Sequence, residues 1–298
     1  MTNTRIQKVL SFPLSRIVIS MVILFVPLAV VNKGVLKPLL GLLPLSEEIA
    51  RLIRFAILTP LFLYAYNLYF GYFEKRKVTE WSLSGMWRES TIGFVLAFTA
   101  LAIPVLILKV LGFYEIQSVS VPYLKIFYPL FYLFFLALTE EYFFRGIVYR
   151  ILEEKVGTYI ALTGSAMLFT IMHLTNDYTT IWSTISVFIG GILMGACFRI
   201  SGRLWLPSFA HLGWNFAQVF LGLNVSGIEK LGEYAPFVTT SHGSELITGG
   251  GFGPEGSIIV ILSNTCISIL LIMILYRKNL IINPSWKSKD QVIKTEDE

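Results

Sequence analysis

Residues 136–146 read LALTEEYFFRG. They set two adjacent carboxylates, Glu140 and Glu141, and one cation, Arg145, among Leu, Phe and Tyr. A charge at the centre of a bilayer costs from about 3 to over 10 kcal/mol, so this cluster needs a partner, a hydrated cavity, or both. On a helix, residues four apart share a face, which lets Glu141 pair with Arg145. Glu140 is turned by about 100° around the axis and falls outside that pair. One carboxylate is neutralised and the other is left to act as a general base on water. The rival reading is a purely structural ionic knot of all three.

The chain has three histidines. His173 closes LFTIMHLTN, with Phe169 four residues earlier on the same face; alone, it also reads as an interfacial residue. His211 and Asn215 stand four apart in PSFAHLGWNFAQ and share a face, which suits either catalysis or an interhelical hydrogen-bond clamp. His242 lies in a polar stretch and is expected to be solvated. Glu140, His173 and His211 together match the ligand number of a catalytic zinc site. Equally, Glu and His could activate water directly while His and Asn polarise a carbonyl as an oxyanion hole. The single-helix zinc motif HExxH is absent. Counted at 1.5 Å per residue, Glu140 and His173 lie about 22 and about 27 Å from Lys155, and His211 about 12 Å from Arg203. That count permits convergence without requiring it.

The elements that must position these groups are membrane spans. The 298 residues are 55% apolar and 14% charged, with mean hydropathy +0.68; an ordinary soluble domain is about 25% charged. A crossing helix needs roughly 20 apolar residues. Eight stretches qualify, near 14–32, 52–73, 91–112, 124–150, 158–174, 179–200, 204–222 and 256–276. The expected fold is therefore all-α and polytopic, with about eight helices around an intramembrane polar cavity. The first stretch follows Arg5 and Lys8 and reads as a retained anchor without a small-residue cleavage site. With the N-terminus in the cytoplasm, most of the 24 Lys and Arg residues fall in cytoplasmic loops and tails, as the positive-inside rule asks. That places both termini in the cytoplasm of a multi-pass protein, expected in the plasma membrane. The net charge of +5 is thus topological, and no aromatic–basic nucleic-acid signature accompanies it.

Residues 74–90 form a polar loop with room for a short interfacial helix around Trp81 and Trp87. Residues 223–255 form the longest connection, and the Gly and Pro of TGGGFGPEG oppose regular structure. The organisation expected is an N-terminal two-span region, 1–90, a core, 91–276, and a disordered charged tail, 277–298. Cys197 and Cys266 have no CxxC partner and read as packing residues.

Taken in order, EExxxR at Glu140–Arg145, FxxxH at Phe169–His173 and HxxxN at His211–Asn215 resemble the CPBP family of intramembrane endopeptidases. That family includes the type II CAAX prenyl proteases and bacterial relatives linked to bacteriocin processing and self-immunity. The stretch GILMGACFRISGRLWLPSFAHLGWN is similar to the family's Gly-rich helix, short turn and Leu-Trp lead into the last motif. The similarity covers about residues 124–222, and GPEG before the final span also resembles bacterial members. The resemblance implies an endopeptidase acting on a membrane-associated protein or peptide. By it, Glu140 and His173 activate water, His211 and Asn215 hold the oxyanion, and Glu141 and Arg145 orient these groups, with metal use open. Two other classes remain: a non-catalytic scaffold or bacteriocin-immunity factor using the same cavity for binding, and, more weakly, a transporter, against which the lack of an inverted repeat counts.

Overall fold

Proline is favoured in the first turn of a helix, where its missing N–H would go unused. The first helix, α1, opens at Pro13 on this rule and runs to Gly41, through a π-helical turn at Asn32–Leu36. The computed structural model describes residues 10–119, 125–228 and 230–287. The basic N-terminal residues Arg5 and Lys8, and positions 288–298 of the expected tail, lie outside that range.

Seven further long helices follow: α2 (Glu47–Tyr72), α3 (Met86–Val110), α4 (Phe127–Glu141, continued by a π-helical turn over Tyr142–Tyr149), α5 (Arg150–His173), α6 (Ile181–Ser201), α7 (Trp205–Phe220) and α8 (Ile258–Arg277). The protein is an all-α, polytopic membrane protein, with one small antiparallel ladder of β1 (Tyr114–Val119) on β2 (Phe237–Ser241). Large apolar side chains such as Val22, Leu61, Val95, Leu106, Leu262 and Ile269 are exposed. Water would not tolerate so extensive an apolar surface, whereas lipid requires it.

Among the described residues six helical stretches are long and apolar enough to cross a membrane, rather than eight. The fourth and fifth expected spans run on as one 47-residue stretch, Phe127–His173. The seventh, α7, has 16 residues, short of the roughly 20 a crossing needs. Within the long stretch the helical path breaks at Gly157, whose φ of 75° favours glycine. A Cβ there would meet the Ile282 carbonyl oxygen at 2.6 Å.

That contact corrects the expected tail. Residues 278–284 are docked: Thr158 N–H donates to the Ile282 carbonyl at 3.0 Å, Ile282 N–H to Thr158 Oγ1 at 2.9 Å, and Arg199 Nε to the Leu280 carbonyl at 2.8 Å. Composition alone hid this because the docking bonds are made by backbone. The 73–85 loop likewise forms turns without an interfacial helix. Trp81 turns inward, donating to Asn67 Oδ1 at 3.2 Å and packing on Tyr142, while Trp87 sits in the first turn of α3. The 223–255 connection holds β2 and short helical turns at Lys230–Tyr234, Glu245–Thr248, Gly250–Phe252 and Pro254–Gly256.

Two contacts set the position of α7. The α3–α7 crossing is a backbone approach: a Cβ on Gly213 would meet the Phe94 carbonyl oxygen at 2.3 Å, and one on Gly93 the Leu206 carbonyl oxygen at 2.6 Å. At the basic end of the bundle, the Leu204 N–H donates to the Glu80 carbonyl at 2.6 Å.

Candidate active site

The three motifs sit on α4, α5 and α7, and the bundle brings them together. Glu141 and Arg145 are both fully buried. Arg145 NH1 donates to Glu141 Oε1 at 2.8 Å, and NH2 donates to the Gly191 carbonyl of α6 at 3.0 Å. The guanidinium also lies 5.0 Å from the centroid of the Phe169 ring, a cation–π contact strengthened by the dry surroundings. The spacing of four therefore pairs these residues as expected, even though π-helical turns begin at Tyr142. Such turns concentrate at functional sites.

Glu141 does more than neutralise Arg145. The same Oε1 lies 2.9 Å from His211 Nδ1. An ionised carboxylate can only accept, so Nδ1 carries a proton and the ring is fixed with Nε2 toward Glu140. His211 Nε2 and Glu140 Oε2 are 3.8 Å apart. Glu140 makes no shorter polar contact among the described residues, and its side chain is 24% exposed.

His173 is fixed in the same manner by a different partner. Its Nδ1 lies 2.8 Å from the Phe169 carbonyl oxygen. A carbonyl only accepts, so Nδ1 donates and Nε2 is the free nitrogen of the neutral ring. Phe169 thus makes three contacts: its carbonyl orients His173, its ring packs tilted against that imidazole with centroids 4.3 Å apart, and its face covers Arg145.

Glu140, His173, His211 and Asn215 line one cavity of about 360 Å³, with Phe143, Phe144 and Met172 among its apolar walls. Asn215 makes no side-chain hydrogen bond among the described residues, so its carboxamide is available there. His242 stays apart, exposed on its loop and 3.4 Å from Glu115.

Residues 122–217 match a family model described as Type II CAAX prenyl endopeptidase Rce1-like. That segment is similar to the Rce1-like family. This agrees with the resemblance drawn from the three motifs, and all six expected site residues fall inside the Rce1-like boundaries. Comparison with curated proteins and with solved structures returned no match.

Outside the Rce1-like segment the structure adds residues that the motifs do not name. Glu255 of the GPEG stretch is buried, and its Oε2 accepts from Trp214 Nε1 at 3.0 Å; Ser226 Oγ donates to its other oxygen. Trp214 immediately precedes Asn215, so Glu255 ties the long connection to the last motif. Nearby, Asn176 Nδ2 donates to the Ser226 carbonyl at 3.0 Å. A glutamate between Pro and Gly in a polar loop gives no periodic signal; the resemblance of GPEG marks the stretch, and the contact with Trp214 shows what Glu255 holds.

Among the described residues no three His, Cys, Asp or Glu side chains are grouped to hold an ion. Both imidazoles engage Nδ1 with an acceptor, which leaves Nε2 as the nitrogen open to another partner, and His211 Nε2 lies 3.8 Å from Glu140 Oε2.

Proposed function

We propose that the chain is an intramembrane endopeptidase hydrolysing a peptide bond of a membrane-associated protein or peptide. The observation that carries this is the convergence of Glu140, His173, His211 and Asn215 on one cavity walled by apolar side chains. Within this reading, residues 91–276 hold the catalytic core, and the chain lies in the plasma membrane with both termini cytoplasmic.

Glu140 removes a proton from a cavity water, with His173 Nε2 holding that water. The resulting hydroxide attacks the scissile carbonyl carbon. Two carboxylates against one guanidinium leave the cluster one positive charge short, and a proton on His211 Nε2 balances it. That nitrogen and the Asn215 amide then donate to the oxyanion. The proton held on Glu140 passes to the leaving amine as the tetrahedral intermediate collapses, and atoms and charges balance without a further reactant.

The test uses purified protein in liposomes with membrane-tethered peptides, products being read by mass spectrometry. Glu140→Gln and His173→Ala should each lower turnover by roughly 10²- to 10⁴-fold, and Asn215→Ala by roughly 10²- to 10³-fold. Cleavage by Glu140→Gln at the wild-type rate would sink the mechanism and favour a binding role for the cavity.

A further inference from the structure

Behind the two imidazoles lies a second, smaller chamber of about 50 Å³, walled by Val187, Leu193, Met194 and Trp214, with Asn264 of α8. His173, His211 and Asn215 line it and the larger cavity alike, so they separate the two spaces. We propose that this chamber is the subsite for the substrate side chain beside the scissile bond, and that Gly190 sets the size of that side chain. The proposal rests on the endopeptidase reading above.

Volume gives the first argument. One water needs about 10–15 Å³ on this measure, so the chamber takes about three to five non-hydrogen atoms. Thr, Val and Leu fit; aromatic and long basic side chains do not. Anchoring gives the second. Glu255 borders the chamber with both oxygens accepting hydrogen bonds, from Trp214 and Ser226, so this part of the wall is held in place and the chamber keeps its size.

The third argument is an unmet acceptor. Asn264 is 3% exposed, and its Oδ1 has no hydrogen-bond partner among the described residues. Leaving such a group unmet costs about 1–3 kcal/mol. A hydroxyl on the bound side chain would satisfy it, which ranks Thr above the isosteric Val.

Gly190 supplies the fourth. It lies within α6 and lines the chamber, and a Cβ added there would meet nothing within 4 Å. Neither a positive φ nor a close neighbour demands glycine at this position. Glycine inside a helix is less stable than alanine by roughly 0.5–1 kcal/mol. The residue thus leaves open a volume that the fold itself does not need.

The experiment presents wild type and Gly190→Leu with tethered peptides differing only at the residues flanking the cut. Wild type should cut beside Thr, Val, Leu or smaller residues on one fixed side. In Gly190→Leu the kcat/KM ratio of the Thr peptide over the Ala peptide should fall roughly 10- to 200-fold. An unchanged ratio, or no size limit in wild type, overturns the proposal.

A second measurement needs no turnover. Gly190→Cys is placed in the Glu140→Gln chain, and its reaction with methyl methanethiosulfonate is followed with and without each peptide, the Gly190 chain correcting for Cys197 and Cys266. The Thr peptide should slow labelling at least about tenfold more than the Ala peptide. Protection of this kind without cleavage by wild type would retain the subsite and discard the endopeptidase. Cleavage without protection would do the reverse.

Discussion

The Glu141–Arg145 pair can be tested for a role beyond its own stability. Removing one member of a buried ion pair strands the other charge, at a cost of about 3–5 kcal/mol. Both side chains are essentially inaccessible, at 0% and 1% exposure, so the upper part of that range applies to Arg145→Met and to Glu141→Gln. Arg145→Met also forfeits the bond to the Gly191 carbonyl and the Phe169 face, adding about 1 kcal/mol. In the double variant no charge is stranded, and replacement of a buried pair by packed neutral groups is often close to neutral. Stability should therefore return to within about 2 kcal/mol of wild type, with a coupling energy of roughly 9 kcal/mol. Turnover should stay low in the double variant, because the His211 Nδ1 proton then faces a neutral amide; loss of an orienting partner costs roughly 10- to 100-fold or more. Unfolding is followed by tryptophan fluorescence during SDS titration, alongside peptide cleavage in liposomes. A double variant as active as wild type would refute the orienting role. One no more stable than either single variant would refute the pairing.

Three further outcomes are expected. Gly213→Ala should drive a Cβ into the Phe94 carbonyl, destabilising the bundle by about 1–3 kcal/mol and lowering turnover by displacing His211 and Asn215; wild-type unfolding and kinetics would contradict the close α3–α7 approach. On the 73–85 face, burial acts to raise the Glu74 and Glu80 carboxyls, but ion pairs with Arg16 and Arg150, and with Arg76, hold both below the ordinary 4.5. Their stabilisation is complete above pH 4.5 and is lost as pH falls through the lower folded-state values, so detergent-solubilised protein should lose thermal stability only on the acid side, and Glu80→Gln should shrink that loss. Chelation followed by elemental analysis should leave turnover unchanged; loss restored by added zinc would overturn the metal-free mechanism.

Much of this site was readable because helical periodicity is strict over one turn. The spacing of Glu141 and Arg145 predicts their contact, and the rotation of Glu140 predicts its separation; both are present at 2.8 Å and in the partial exposure of Glu140. The spacing could not show that Glu141 also grips His211, since that contact joins residues 70 apart. Depth counts from Lys155 and Arg203 set His173 and His211 at unequal levels because α5 turns at Gly157 and α7 is short. Composition resolved helices well and span boundaries poorly, since a continuous helix through Arg150 and Lys155 and a 16-residue helix both look like ordinary crossings. Backbone-made features, such as the β1–β2 ladder and the docked 278–284 segment, leave almost no trace in side-chain pattern.

The reciprocal bonds between Thr158 and Ile282 have a practical corollary. The strand-like run after α8 works as a latch on the bend between the helix bearing Glu140 and the one bearing His173. An affinity handle, reporter fusion or stop codon placed before residue 284 would slacken that bend and so be felt at the catalytic water, some distance from where the edit was made. Engineering at this end of the polypeptide should begin beyond Pro284.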